Sequence, residues 1–148
     1  MTKLRHMALM AIFSMVPSIS TGEPSEELLV LLSSIDRPLT RLDLQYCQAE
    51  VDVLLSIAGA PEHSLYRRGR AIAALGQLND PRSLSGLIEL WDKDLEPGLE
   101  VEIVYAINAL DANFDIWHLT SLFESRLSGA SPPVFMAITR ILGLDAAP

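Results

Sequence analysis

Residues 66–87, YRRGRAIAALGQLNDPRSLSGL, decide the fold. With Leu65 in front, Ala71, Ile72, Ala74, Leu75 and Leu78 line one side of a helix over residues 64–78. Ser64 suits its N-cap. Arg67, Arg68, Arg70 and Gln77 fall mostly outside that side, with Arg67 and Arg70 on a shared face and Arg68 pointing elsewhere. Asn79-Asp80-Pro81 makes a turn in which Asp80 suits an N-cap and Pro81 the first helical position. A second helix, Pro81 to Trp91, then buries Leu84, Leu87, Ile88 and Trp91. Gly69 and Gly76 each cost about 1 kcal/mol against alanine in a helix interior. Close approach of a neighbouring helix is the expected compensation.

The hairpin recurs 35 residues later: Ala71 pairs with Ala106, Ile72 with Ile107, Ala74 with Ala109 and Leu75 with Leu110. Asp80 pairs with Asp115, Leu84 with Leu119, Leu87 with Leu122 and Ile88 with Phe123. This predicts helices over residues 100–110 and from about 116 to 127, with Asp115 as the second cap. A period in the thirties with a pair of helices per unit reads as an α-solenoid, whose units bury their faces only against each other.

Working outward, Pro24-Ser25-Glu26-Glu27 opens a helix that runs to Asp36, with early acids that complement its dipole. A longer helix extends from Thr40 through Leu44, Cys47, Val51, Leu54 and Ala58. On the far side, Pro132-Pro133 breaks the chain and Val134–Leu142 forms the last helix, in which Ile141-Leu142-Gly143 answers Ala74-Leu75-Gly76. The reading is all-α: about three and a half helical hairpins in a short solenoid over residues 24–148. Its last half unit leaves Val134, Phe135, Ile138 and Ile141 as an apolar end face, through which a homodimer is one expected arrangement.

The run Arg70-Ala71-Ile72-Ala73-Ala74-Leu75-Gly76-Gln77-Leu78-Asn79-Asp80-Pro81-Arg82 resembles a HEAT repeat, of the short bacterial HEAT-like type also found in phycobilisome lyases. The resemblance covers residues 66–91 well and residues 100–127 moderately. It implies an α-solenoid that binds or scaffolds proteins, not a catalyst.

Residues 1–22 read as a signal peptide: Lys3 and Arg5, the uncharged run Met7–Val16, then Pro17 and small residues. Export, to the periplasm or outside the cell, follows from that reading; without a leader the chain would be cytoplasmic. The run is too short to span a bilayer, so no stable membrane insertion is expected once the leader is removed.

The chain has 148 residues, 49% of them hydrophobic and 6% aromatic, and a net charge of −8. That composition favours helices packed on helices. Its acidity argues against nucleic acid as a partner. The single cysteine, Cys47, permits neither an internal disulfide nor a cysteine-based zinc site. His63 and His118 lie on different units and share no metal-ligand spacing. Asp92, Asp94 and Glu96 lack the glycine and terminal glutamate of a calcium loop. With no phosphate loop and no nucleophile elbow, no catalytic residue, metal or cofactor is assigned.

The candidate binding residues are Arg67, Arg68, Arg70 and Arg82, the one basic concentration in an acidic chain, together with Trp91 and Trp117. As solvated arginines they would bridge to acids on adjacent helices; as a patch they would dock an acidic partner group. The tryptophans belong either to inter-helix packing or to a binding hot spot. The functional expectation is a non-catalytic protein- or peptide-binding module acting through the concave face. The alternative is an accessory domain of an enzyme system, or a small hydrolase-like enzyme.

Overall fold

The computed structural model describes residues 22–78, 80–110 and 116–144. All but the last residue of the expected leader (residues 1–21), the expected Asp115 cap and the end of the LDAAP tail lie outside the described residues. Eight helices and no strands form among those described: α1 (Glu26–Ser33), α2 (Arg41–Tyr46), α3 (Val51–Gly59), α4 (Leu65–Leu78), α5 (Pro81–Trp91), α6 (Pro97–Ala109), α7 (Ile116–Leu127) and α8 (Pro132–Leu142).

The caps explain most of these bounds. Ser25 accepts the amide of Leu28 to open α1. Thr40 and Asp43 close a reciprocal capping box at α2. Asp80 accepts the amide of Arg82 at 2.9 Å, with Pro81 in the first turn of α5. Prolines also open α6 and α8: their missing amide is one the first turn leaves unbonded in any case. Both helices therefore start earlier than the expected Glu100 and Val134.

The expected long helix from Thr40 to Ala58 is two helices. Cys47 ends α2, and Gln48 adopts a left-handed conformation with φ 49°. The Gln48 amide donates to the Gln45 carbonyl and the Ala49 amide to the Leu44 carbonyl, the paired bonds of a Schellman ending. The chain turns there, and α3 begins a few residues on. The first helix likewise stops at Ser33, short of Asp36.

Packing links α1, α4, α6 and α8 in that order, each to the next. Helices α3 and α5 pack on each other and on α4, α5 also meets α6, and α7 lies against α8. The linked helices share one burial pattern, at positions i, i+3 and i+4. It reads Leu28-Leu31-Leu32 in α1, Arg68-Ala71-Ile72 in α4, Ile103-Ala106-Ile107 in α6 and Val134-Ala137-Ile138 in α8, all buried. Ala71 and Ala106 occupy the same place in that pattern. It places α8 one residue from the register expected from Ile141-Leu142-Gly143. It also turns Val134 and Ile138 inward, so of the expected end face at α8 Phe135 stays exposed, now beside Met136, and Ile141 is half-buried.

α6 comes close to α4 at Gly76: a Cβ there would stand 2.9 Å from both Cα and the carbonyl oxygen of Ala106. Close approach thus accounts for Gly76. It does not account for Gly69, where an added Cβ would meet Glu102 Cγ at an ordinary 3.6 Å.

Candidate functional site

The arginines lie on or beside α4, and each donates to the protein's own backbone, a serine hydroxyl or an acid. On one side of α4, the Arg67 Nε and Nη2 donate to Ser33 Oγ at 3.2 and 2.8 Å. The Arg70 Nη2 donates to the carbonyls of Leu31 at 3.3 Å and Arg37 at 2.8 Å. Tyr66 adds its hydroxyl to the Ser34 carbonyl at 2.8 Å. These groups converge on the C-terminal end of α1, which has no basic residue of its own in its last turn. Unbonded carbonyls and the negative dipole end make that a natural cation site.

Arg68 points the other way and is only 4% exposed. Its Nε donates to the Ala58 carbonyl at the end of α3, and its Nη1 to both oxygens of Glu96 at 3.1–3.2 Å. Arg82, at the start of α5, is exposed and pairs with Asp80 at 3.0 Å and Asp52 at 3.7 Å. The basic run therefore does not form a single surface: Arg67 and Arg70 come together, while Arg68 and Arg82 are each elsewhere.

Trp91 is 5% exposed. It meets the Phe123 ring edge-on at 6.2 Å, with the Arg126 guanidinium 5.1 Å from its centroid. That is a packing position, and it joins α5 to α7. Trp117 falls in α7, and its side chain lies outside the described residues. His118 is exposed and His63 half-buried. Among the described residues no three His, Cys, Asp or Glu side chains are grouped to hold a metal ion. None of the described helices is long and apolar enough to cross a membrane.

Two grooves escape the sequence reading. The larger, about 710 Å³, lies between α1 and α2 over Val30, Leu31, Leu42, Tyr46 and Cys47, with Glu26 and Glu27 on its rim. Val30 is 61%, Leu42 76% and Tyr46 84% exposed. The ion pair of Arg37 with Asp43 lines part of it. The Thr40 hydroxyl bond, with Arg37 beside it, holds the Asp43 carboxyl below its usual range. Burial, then the charges of Asp43 and Glu27, push the Cys47 thiol up, which keeps it protonated and a poor nucleophile. A signal was present: Leu42 and Tyr46 stand four apart and share a face of α2 away from the buried Leu44. It becomes visible only once α2 is a separate helix.

The second groove, about 470 Å³, runs between α4 and α6 past Leu65, Tyr66, Gly69, Ala73 and Leu99. Leu65, expected in the core, is 53% exposed at this edge. Glu102 stands in the groove, and burial alone raises its carboxyl above the ordinary glutamate value of 4.5. A glutamate looks the same in sequence whatever faces it, and here it faces Gly69 of another helix.

No family model, curated protein or solved structure matches the chain.

Proposed function

We propose that this chain is an exported, HEAT-like α-solenoid that binds a protein partner without catalysis. The ordered packing of α1, α4, α6 and α8, with one burial pattern repeated in each, supports the repeat reading. The observation that carries the binding reading is the groove between α1 and α2. Val30, Leu42 and Tyr46 are large apolar side chains left mostly in water beside one concavity. Contiguous exposed apolar surface of this kind marks interaction sites.

The occupant is a partner helix with an apolar stripe and basic flanks. The stripe seats against Val30, Leu42 and Tyr46. The flanks face Glu26 and Glu27 on the rim, and the net charge of −8 draws such a segment in. The arginines serve this module as internal fastenings.

Fluorescence anisotropy of a labelled amphipathic peptide, leucine-faced and lysine-flanked, tests this reading. The wild-type protein binds it, and a glutamate-flanked version binds far more weakly. Combining Leu42→Asp with Tyr46→Asp abolishes binding without lowering Tm, because both side chains are exposed. Equal binding by the double variant refutes the groove as the docking site.

A further inference from the structure

The geometry points to the groove between α4 and α6 as a receiving pocket for the cationic side chain of a lysine or arginine on the protein partner. This rests on the reading of the chain as a binding module and adds a second, chemically distinct anchor to it.

The groove is open because glycines line it. At Gly98 an added Cβ would meet nothing within 4 Å, and at Gly69 it would meet only Glu102 and Leu99. Into this space Glu102 brings a carboxylate that has no hydrogen bond or ion pair among the described residues. The other charged groups that line the groove are Glu96 and Arg70. Glu96 is held by Arg68, and Arg70 gives its Nη2 to the carbonyls of Leu31 and Arg37, on the side of α1, while its Nε is buried without a partner. Arg70 makes no ion pair with Glu102, and among the described residues no cation offsets its burial.

A half-buried carboxylate without a counter-charge costs stability in the free protein. An arriving ammonium or guanidinium removes that cost. Leu65, Tyr66 and Leu99 supply what the rest of such a side chain needs. Leu65 and Leu99 pack its methylene stem, and Tyr66 lines the groove with an aromatic ring beside it. An acidic or purely apolar side chain satisfies only one half of this lining. A long basic side chain satisfies both.

The experiment follows the Glu102 carboxyl by carbon-detected NMR while blocked Ala-Lys-Ala, Ala-Arg-Ala and Ala-norleucine-Ala tripeptides are titrated in. The lysine and arginine tripeptides shift its resonance saturably and bring its pKa back toward 4.5. The norleucine tripeptide does neither. Glu102→Gln weakens the lysine tripeptide roughly tenfold, the loss expected for one charge-assisted bond. An unmoved resonance, equal binding of the norleucine tripeptide, or unweakened binding by E102Q overturns the assignment. Tighter binding of free cadaverine than of either basic tripeptide overturns it as well, since the site would then read a free amine. The wild-type titration needs no variant to fold. Because these probes do not require the groove between α1 and α2, failure here and failure of the peptide-docking reading are separate results.

Discussion

Gly76→Ala is the most direct probe of how α4 and α6 are assembled. The new Cβ would lie 2.9 Å from Ala106 Cα and 2.9 Å from its carbonyl oxygen, with Ala106 Cβ at 3.2 Å. These contacts involve backbone, so no rotamer change relieves them; the two helices must separate. Overpacking of this kind costs about 1–3 kcal/mol. The gain in helix propensity returns up to about 1 kcal/mol. A net loss of about 1–2 kcal/mol follows, and at roughly 2–4 °C per kcal/mol for a chain of this size, Tm falls by several degrees. Gly69→Ala is the internal control. It sits in the same helix, its new Cβ meets Glu102 Cγ at 3.6 Å and Leu99 Cδ2 at 3.8 Å, and neither neighbour has to move. That substitution raises stability by about 0.5–1 kcal/mol. Urea melts of both variants, analysed at a common m-value, separate the two effects. If Gly76→Ala proves as stable as the wild type, the close contact at Ala106 is not what holds the glycine there, and the packing argument fails.

Other substitutions read other parts of the molecule. Arg68→Ala leaves the Ala58 carbonyl without its donor and opens a cavity, costing about 2–4 kcal/mol in urea melts. Glu96→Gln, at the exposed end of the same pair, costs less than about 1 kcal/mol. Gln48→Gly relieves a left-handed conformation and stabilises by up to about 1 kcal/mol, read as a raised midpoint. Glu102→Gln has a pH signature. The folded state holds the Glu102 proton more tightly than the unfolded chain does, so ionised Glu102 penalises folding above its raised pKa, and the penalty vanishes below 4.5. The stability of E102Q relative to wild type therefore climbs as pH rises from 4.5 toward neutrality, and a flat difference across that range contradicts the burial of the carboxyl.

Helix identity was most legible where two local signals coincide. Asp80-Pro81 supplies both a cap and a pre-set first turn, and α5 runs from Pro81 to Trp91 as read. Ala71 and Ala106, small residues read from their spacing as helix-packing positions, are both buried. At Gln48 the signals diverge. Leu44, Cys47, Val51 and Leu54 keep helical spacing straight through a chain reversal, because each half contributes to one core from its own direction. The reversal itself uses a glutamine where glycine or asparagine would have announced it. Pro132 misled in the other direction, as a helix breaker that turned out to open α8.

For the side chains, the sequence set directions without destinations. Periodicity separates Arg67 and Arg70 from Arg68 correctly. It has no means of showing that the end of α1 lies under the first two and Glu96 under the third. The groove between α4 and α6 was hidden for a related reason: Leu65 looks like core until the partners it lacks are known.

The fastening of α1 bears on how the molecule is connected. Tyr66, Arg67 and Arg70 grip the Leu31 carbonyl and Ser33 hydroxyl of α1, and the Ser34 and Arg37 carbonyls just past its end, across more than thirty residues of chain. None of these bonds depends on the covalent link through the loop between α3 and α4. A protein nicked at Glu62–His63 would remain a donor piece and an acceptor piece that know each other. The first helix is in effect a resident ligand, held by the same fork-to-carbonyl grammar with which one protein reads the end of another's helix.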